Sequence, residues 1–447
     1  MSFPRYPKYK NSGTEWLGAV PTHWEVRQFQ RCVFVTEGQV DPEDPRYSAM
    51  PLIAPNHIEG GTGRLLLLES AIDQGAASGK YLCKAGDVVY SKIRPALRKA
   101  CIAPHDCLCS ADMYPLRGHI GLTNSFLLWF LLSDQFSALA VLESQRVAMP
   151  KINRESLKDI ILVVPPANEQ NKIIAFLDRE TTKLDALIDE QRRLTELLKE
   201  KCQAITSHAV TKGLNPRVAM KPSGIDWLGE VPAHWGLVKL KRIAGVQTGM
   251  AKGKDHGSRA TITVPYLRVA NVQDGFLDLE TVARMEIPVS ELDRYALKRG
   301  DVLMNEGGDF DKLGRGCVWD GQIEPCITQN HVFAVRPRQV SSMWLNAITG
   351  SEYARFYFMT RSKQSTNLAS ISSTNLMELP VLLPPVSEQE AILSFVAKQI
   401  ACLDALTAEA QRAIDLLQEH RSALISAAVT GQIDVRGQAD QQLAAAS

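Results

Sequence analysis

A run of basic, aromatic and hydroxyl side chains near residue 90 has the residue types that contact nucleic acids. Residues 80–117 hold seven basic and three acidic side chains, a balance of +4. Lys and Arg neutralise phosphates, and Arg can also reach base edges with paired hydrogen bonds. We therefore predict DNA contacts from the side chains that cluster around Pro95, namely Tyr90, Ser91, Lys92, Arg94, Arg98 and Lys99.

A second polar set lies at the matching place in the other half of the chain. Its glycines allow backbone amides to approach a ligand closely, and its Glu can accept a hydrogen bond from cytosine N4. The predicted contacts there are Glu306, Gly307, Gly308, Lys312, Arg315, Gln329, Asn330 and His331. A third group comprises Arg146 and Lys151 in the first half and Arg361, Lys363 and Gln364 in the second.

Each of these residues has a simpler alternative role. A single Lys or Arg could be a solvated surface charge, and His331 could be a general base because imidazole titrates near neutral pH. Recurrence of the polar sets at matched places in both halves favours contact with nucleic acid for the sets as a whole.

The sequence lacks the motifs of several enzyme classes that act on DNA or nucleotides. Gly249–Lys254 is one residue short of a phosphate-binding loop, and Asp255 follows where Ser or Thr is needed. The two Pro-Pro pairs follow Val164 and Leu383, not the Asn or Asp of adenine methyltransferases. The spacing of four clustered residues does not match a closed zinc site, and buried thiols are the better interpretation for Cys101, His105, Cys107 and Cys109. We predict no catalytic residue and no bound metal.

Length and composition set the broad class of protein. A chain of 447 residues is expected to form two or more domains. Nine scattered Cys favour reduced thiols, and the polar stretch 1–13 has no apolar segment typical of a signal peptide. Both features favour a cytoplasmic protein. The formal net charge of only +1 is weak evidence against a nucleic-acid partner, but the basic residues are concentrated outside the helical stretches.

One internal duplication organises the chain. Ser12–Arg31 matches Ser223–Arg242 at 10 of 20 positions, and Pro165–Phe176 matches Pro384–Phe395 at 6 of 12. The segments between these matches differ in sequence, apart from short similarities such as KAGDV from Lys84 and KRGDV from Lys298. A retained frame around dissimilar interiors indicates one scaffold that carries two different binding domains.

A long amphipathic helix is predicted after each Pro-Pro. Proline cannot lie deep inside a helix, and carboxylates follow in what would be the first turn. Steps of four and three residues give a coiled-coil pattern in both copies. The predicted positions are Ile173, Leu177, Glu180, Leu184, Leu187, Gln191, Leu194, Leu198, Lys201 and Ile205, and then Ile392, Val396, Gln399, Leu403, Leu406, Ala410, Ala413, Leu417, His420 and Leu424. The alternative is two separate amphipathic helices, each packed on its own core.

The full arrangement resembles the specificity subunits of Type I restriction–modification systems. The pattern is W-L-G-x-V-P-x-H-W, a variable domain, P-P-x-x-E-Q and a long helix, and then all of these again. Trp16 to Trp24 and Trp227 to Trp235 carry the opening motif, and the two Pro-Pro segments carry the closing one. The first copy departs slightly, with Val164 where Leu is usual.

The resemblance and the repeat together predict an α+β fold. Two mixed α/β target-recognition domains would be separated by two long antiparallel coiled-coil helices, related by an internal pseudo-two-fold repeat. The predicted boundaries are 1–24 for an N-terminal segment, 25–165 for the first recognition domain, 166–213 for the central helix, 214–383 for the second recognition domain, 384–434 for the C-terminal helix and 435–447 for a flexible tail.

The resemblance also implies partners. The chain would bind double-stranded DNA at a bipartite, asymmetric target, one half-site per recognition domain, and would assemble with two methyltransferase subunits and two motor-nuclease subunits. S-adenosylmethionine, ATP and Mg would be bound by those partners and no cofactor by this chain. The alternatives are the recognition subunit of a related Type II enzyme, or a stand-alone nuclease.

Overall fold

The structure is a computed structural model that describes residues 3–144, 150–253, 257–308, 313–314, 316–365 and 368–437, without the side chains of 364, 365 and 368. The chain forms two compact units. The first unit comprises Met1–Arg192 and Gln411–Ser447, and the second comprises Arg193–Ala410. Each of the two longest helices contributes one part to each unit. The predicted mixture of helices and strands is confirmed.

The first unit contains many short strands. They are β1 Tyr9–Asn11, β2 Ala19–Pro21, β3 Glu25–Gln28, β4 Val33–Val35, β5 Gln39–Val40, β6 Pro51–Ile53, β7 Glu69–Ser70, β8 Lys80–Cys83, β9 Val88–Ser91, β10 Ala100–Ile102, β11 Cys107–Cys109, β12 Met113–Gly118 and β13 Ile161–Val164. The helices are α1 Asn124–Leu131, α2 Asp134–Ser144, α3 Arg154–Lys158 and the first part of α4 Ala167–Lys212.

Two sheets lie at the centre of the first unit and carry or adjoin the residues predicted to bind DNA. The order β10-β9-β12-β4 makes a four-stranded sheet, and β5-β8-β11-β6-β7 makes a five-stranded one. The largest core cluster packs aromatic side chains such as Trp24, Phe126 and Phe130 against α4 and the end of the last helix. The apolar stretch 122–142 holds two helices and not one, because the Ser133 hydroxyl accepts a hydrogen bond from the Phe136 amide at 3.3 Å and so caps a new helix.

Many elements of the second unit correspond to elements of the first in the same order. Its strands are β14 Met220–Pro222, β15 Glu230–Pro232, β16 Gly236–Lys239, β17 Ala244–Thr248, β18 Thr261–Leu267, β19 Ala283–Pro288, β20 Val302–Asn305, β21 Gly307–Gly308, β22 Gly316–Val318, β23 Ile327–Thr328, β24 Val332–Pro337, β25 Lys363–Ser365, β26 Leu368–Ser370 and β27 Pro380–Leu383. Its helices are α5 Leu240–Ile243, α6 Leu292–Tyr295, α7 Ser342–Thr349, α8 Glu352–Arg361, α9 Ser373–Met377 and part of α10 Val386–Val429.

The main sheet of the second unit has the order β17-β24-β20-β22, which matches β4-β12-β9-β10 strand for strand. Smaller sheets are β19-β18-β23 and β21-β26-β25. Buried aromatic side chains again fill the core beneath the main sheet, with Trp235, Trp344 and Phe358 in one cluster.

A buried carboxylate explains the repeated Gly-Asp-Val of both halves. Asp87 and Asp301 are each 1% exposed. Asp87 accepts hydrogen bonds from Arg117 on β12, at 2.8 Å from Nε, and Asp301 accepts them from Arg336 on β24, at 2.7 Å from Nε. The Asp also accepts from the backbone amide three residues earlier, at 2.8 Å in both units. Each pair therefore joins the turn before a central strand to the neighbouring strand.

The two repeated motifs meet at the start of each long helix. Glu169 of α4 accepts a hydrogen bond from Trp24 Nε1 at 2.9 Å, and its other oxygen lies 2.8 Å from His23 Nε2. Glu388 of α10 lies 2.7 Å from His234 Nε2 in the same way. The opening and closing motifs thus meet in each unit, through both His23 and Trp24 in the first and through His234 in the second.

The Gln of the closing motif completes this junction. Gln170 Nε2 donates to the Pro165 carbonyl at 2.8 Å, and Gln389 Nε2 donates to the Pro384 carbonyl at 2.9 Å. Tyr6 adds a third donor to the carboxylate in the first unit, and burial together with this hydrogen bond raises the pKa of the Tyr6 phenol. The motifs that carry the family resemblance are therefore structural at these positions.

The long helices α4 and α10 span 46 and 44 residues. Their buried stripe differs from the predicted one in phase. Leu187, Leu194 and Leu406 are 45%, 41% and 48% exposed, although the heptad pattern places them inside. The buried or half-buried positions beside them are Thr181, Ile188, Thr195 and Cys202 on α4, and Ile400, Thr407, Ile414 and Arg421 on α10.

The buried stripe differs from the predicted one because the pattern of leucines in the sequence is ambiguous. The positions repeating every seven residues from Leu177 and Val396 are buried or half-buried as expected. Beyond Leu177 and Val396, the second buried position of each heptad lies four residues after the first, not three residues as predicted. Leucines occur on both sides of the stripe, and periodicity alone cannot choose between them.

Helix α10 is long and apolar enough to cross a membrane by length and composition, as the bent pair α1–α2 would be if it were one span. Core helices of soluble proteins pass the same test. Here α1 contributes Phe126 and Phe130 to the core of the first unit, and the end of α10 contributes Leu424 and Val429.

The residues after α10 differ from the flexible tail expected from 435, because Val435 is fully buried and Arg436 lies over the Tyr6 ring at 4.8 Å. Residues 438–447 lie outside the described part of the chain.

Candidate nucleic-acid interface

In the first unit, the chain leaving β9 meets a segment about sixty residues away in sequence. The amide of Ile152 donates to the Lys92 carbonyl at 2.9 Å, and the amide of Arg94 donates to the Pro150 carbonyl at 3.0 Å. Ile93 and Lys151 form an isolated antiparallel bridge. The structure therefore brings together Lys92, Arg94 and Lys151, which belong to two separate predicted groups.

These three cations have room to contact a ligand. Arg94 and Lys151 are exposed, and Arg94 has a left-handed backbone conformation with φ 47°. Lys92 is half-buried, with its ammonium 5.3 Å from the centre of the Tyr114 ring. Burial raises the pKa of the Tyr114 phenol, so this ring remains neutral beneath the cation.

Tyr90 and Ser91 do not belong to this surface. They are 2% and 3% exposed. The Tyr90 ring packs edge-on against Phe136 at 5.7 Å, and the Ser91 hydroxyl donates to the Ile93 carbonyl at 3.1 Å. Because their strand is buried at all four positions, the two side chains belong to the core, and the prediction that they contact DNA is wrong.

Arg98 and Lys99 already have protein partners. Arg98 Nη1 lies 2.5 Å from Asp134 Oδ1 and 2.6 Å from the Ser422 hydroxyl of α10. Lys99 Nζ donates to the Pro55 carbonyl at 2.6 Å. These cations connect parts of the first unit, which separates them from the exposed group at Arg94. Arg146 lies outside the described residues.

In the second unit, the residue after β20 has the same backbone environment as Lys92. The amide of Glu306 donates to the His331 carbonyl at 3.0 Å, and the amide of Ile371 donates to the Glu306 carbonyl at 2.9 Å. The Glu306 carboxylate lies 3.0 Å from His331 Nδ1, and Asn330 Nδ2 lies 3.3 Å from His331 Nε2. Which ring nitrogen donates depends on the tautomer.

A small sheet connects this cluster to the third predicted group. Strand β26 pairs with β21 on one side and β25 on the other, so that Gly307 and Lys363 both face Ser370. A Cβ at Gly307 would lie 2.8 Å from the Ala369 carbonyl oxygen, so only glycine fits here. Gly308 and Gln364 flank Ala369 in the same register.

The remaining predicted residues of the second unit have mixed positions. Gln329 is half-buried, with its amide bonded to the Leu267 carbonyl at 2.9 Å, and it immediately precedes the Asn330–His331 pair. Arg361 and Lys363 are exposed at the end of α8 and the start of β25. Lys312 and Arg315 lie outside the described residues, as does the side chain of Gln364.

One polar position in this region was missed by sequence reasoning. Asp112 is exposed, and its carbonyl accepts the Lys92 amide at 3.0 Å, so its place corresponds to that of His331. In the sequence, Asp112 is marked only by its position just before β12. This position can be matched with that of His331 only after β12 and β24 have been aligned through Arg117 and Arg336.

The structure places no zinc site at the clustered cysteines. Cys101, Cys107 and Cys109 are buried thiols, while His105 is exposed. Among the residues that the structure describes, no group of three or more His, Cys, Asp or Glu could hold a metal ion.

Comparison with known proteins identifies the class of domain. Residues 46–197 match the family model of the Type I restriction modification DNA specificity domain. This segment includes Lys92, Arg94 and Lys151, and it ends within α4. Apart from its last five residues, the matched segment lies in the first unit.

Named relatives extend the similarity beyond that segment. The chain is 30% identical to the Type I restriction enzyme EcoDI specificity subunit of Escherichia coli, over 55% of this chain and 52% of that subunit. It is 24% identical to the MjaVIII specificity subunit of Methanocaldococcus jannaschii, over 66% and 67% of the two chains. The match thus spans about half the length of the EcoDI subunit. The predicted resemblance to the specificity subunits of Type I restriction enzymes is confirmed.

A solved structure shares the fold over nearly the whole chain. It comes from work titled as the structural basis of complex assembly and conformational transition of the type I R-M system. The alignment covers 92% of this chain and 98% of that one, with a TM-score of 0.67 and 17% identity.

Proposed function

We propose that this chain is the DNA-recognition subunit of a Type I restriction–modification complex. It would read a bipartite, asymmetric target, with one half-site bound by each recognition domain. One observation carries the proposal. The same pair of backbone hydrogen bonds frames Lys92 in the first unit and Glu306 in the second, while the side chains displayed there differ in charge.

The chemistry of the two surfaces supports DNA as the ligand. Lys92, Arg94 and Lys151 together can neutralise phosphates, and each released counterion contributes to affinity. Glu306, Asn330 and Lys363 offer both hydrogen-bond donors and acceptors, which is what base edges in the major groove require. The set proposed to contact DNA in the described residues is therefore Lys92, Arg94, Lys151, Glu306, Gly307, Gly308, Gln329, Asn330, His331, Arg361 and Lys363.

We propose that α4 and α10 form an antiparallel coiled coil that relates two copies of one ancestral unit by a pseudo-two-fold axis. The first part of α4 and the last part of α10 lie side by side in the first unit, where Arg421 Nε is 2.8 Å from Asp185 Oδ1. The last part of α4 and the first part of α10 share a core in the second unit, through Val210 and Ile392. Opposite ends of the two helices are thus paired in each unit, as antiparallel packing requires.

The catalytic steps would belong to partners. The sequence has no recognised methyltransferase, nuclease or nucleotide-binding motif, so adenine methylation would come from two methyltransferase subunits with S-adenosylmethionine. Cleavage would come from two motor-nuclease subunits with ATP and Mg. The complex would act in the cytoplasm, where the chain's buried thiols stay reduced.

An exchange of domains tests this proposal. Residues 25–165 are replaced by the corresponding domain of another specificity subunit, and methylated sites are mapped by sequencing in cells that express the partners. Only one half of the methylated motif should change. The reciprocal exchange of the second domain is the matched control and should change only the other half. A change in both halves, or methylation of a continuous site, would contradict modular reading.

A second experiment uses the purified chain without its partner subunits. Alone, with S-adenosylmethionine, ATP and Mg, it should bind DNA with strong salt dependence but should neither methylate nor cleave it. Cleavage or methylation that persists through purification would favour a stand-alone enzyme.

A further inference from the structure

Lys92 and Glu306 occupy the same position in two different domains. The Lys92 amide donates to the Asp112 carbonyl at 3.0 Å, and the Glu306 amide donates to the His331 carbonyl at 3.0 Å. Both residues directly follow the central strand of a main sheet, β9 or β20. Each also accepts a 2.9 Å hydrogen bond from an isoleucine amide, as described above. Two side-chain positions are therefore matched between the units, 92 with 306 and 112 with 331.

The matched positions present opposite chemistry. In the first unit the pair is a Lys and an exposed Asp, with the ammonium held near the Tyr114 ring. In the second unit the pair is a Glu and an exposed His, whose Glu306 Oε2 and His331 Nδ1 are 3.0 Å apart. Position 92 can only donate hydrogen bonds, whereas an ionised Glu at 306 can only accept them.

A carboxylate on a DNA-facing surface restricts what it can contact. Phosphates repel Glu306, so the contact open to its oxygens is an amino group on a base edge. The backbone is fixed through both the N–H and the C=O of residues 92 and 306, which holds each side chain at a defined distance from the sheet. A fixed polar group discriminates bases better than a mobile one, because a wrong base leaves it unpaired.

We propose that Lys92 with Asp112, and Glu306 with His331, are the specificity-determining pairs of the two recognition domains. Lys92 would read a guanine through O6 and N7, and Glu306 would read a base that offers an exocyclic amino group in the major groove, first of all the N4 of cytosine. This inference rests on the proposed function, since it assigns bases to surfaces that are proposed to bind DNA.

The test uses the complete methyltransferase complex with single substitutions in this chain. Glu306→Gln keeps the shape of the side chain and removes its charge, and Lys92→Gln replaces the ammonium of the first unit with a shorter, neutral amide. Glu306→Gln should lower discrimination at one base pair of the second half-site by about 5- to 150-fold, with the first half-site unchanged. Lys92→Gln should relax one base pair of the first half-site only.

Glu291→Gln is the matched control. Its side chain is 31% exposed and paired with Arg259 at 3.1 Å, compared with 27% exposure and a 3.0 Å partner for Glu306, and it lies in a different part of the second unit. Methylated sites are sequenced, and binding to cognate and single-mismatch duplexes is measured for each purified complex. The control should retain the motif and the discrimination of the unsubstituted complex.

Three results would overturn the inference. Unchanged discrimination in both variants would remove the pairs from the base contacts, and a uniform loss of binding to all sequences would assign them to phosphate contact or folding. Relaxation in the wrong half-site would contradict the assignment of domains. Failure of the proposed function itself is distinct, because the unsubstituted complex would then methylate no bipartite site.

Discussion

Lengthening the paired helices should widen the gap between the two half-sites. The change is an insertion of seven residues in each helix, after Glu190 in α4 and after Leu416 in α10. The contact between Asp185 and Arg421 places these two points nearly level if the helices run in opposite directions. Seven residues turn the helix by about 700°, so the buried stripe rotates by only about 20° and stays in phase.

The expected increase in the gap follows from the rise per residue of an α-helix and the rise per base pair of DNA. Seven helical residues add about 10 Å at 1.5 Å per residue, and DNA rises 3.4 Å per base pair, so the gap should grow by about three base pairs. Four residues in each helix would add about 6 Å, or one to two base pairs, but would rotate the stripe by about 40° and lower the yield of active complex.

The assay is sequencing of methylated sites in cells that express each variant with its partner subunits. A seven-residue insertion after Glu43, in an exposed turn of the first unit, is the control for chain length and should leave the gap unchanged. An active complex with longer helices and the original gap would refute the reasoning. The spacing would then have to come from the partner subunits.

Three further predictions concern stability, each measured by urea unfolding of the full chain. Arg421→Ala removes a side chain that is 8% exposed and leaves its carboxylate and carbonyl partners unpaired, so it should cost about 2–4 kcal/mol. A cost below about 1 kcal/mol would show that water replaces the contacts. Asp301→Ala should cost about 3 kcal/mol because it leaves Arg336 without its buried partner. If Asp301→Ala combined with Arg336→Ala is equally destabilising, the loss of stability has another cause. Glu169→Gln should cost about 2 kcal/mol and Glu388→Gln less than about 1 kcal/mol, because Glu169 is far more buried, and equal costs would contradict this.

Sequence reasoning located the scaffold better than the binding surface. The opening and closing motifs were found as separate repeats, and the structure joins them through Glu169 and Glu388. A repeat indicates that the same structure requires both segments, but it does not show that the two segments are in contact. The echo around Gly-Asp-Val was visible for the same reason, while its partners Arg117 and Arg336 were not, since nothing local marks them as ion-paired.

The grouping of the candidate binding residues depended on contacts that are distant in sequence. Tyr90 and Ser91 share the polar and aromatic character of their neighbours, yet a central strand buries them. Arg98 has the same residue type as Arg94, and only its proximity to Asp134 and α10 distinguishes the two roles. Composition cannot separate a cation that binds a ligand from one that binds its own protein.

The sequence by itself determined the duplication, the existence of two long amphipathic helices and the two regions that hold candidate binding residues of different chemistry. These features are local or repetitive, so periodicity and self-similarity record them. The tertiary structure alone decided the phase of the buried stripe, because leucines on both of its sides satisfy the same pattern. It also decided which polar residues share a surface, since β-sheet pairing brings Lys92 to Lys151 and Glu306 to His331 across long stretches of chain.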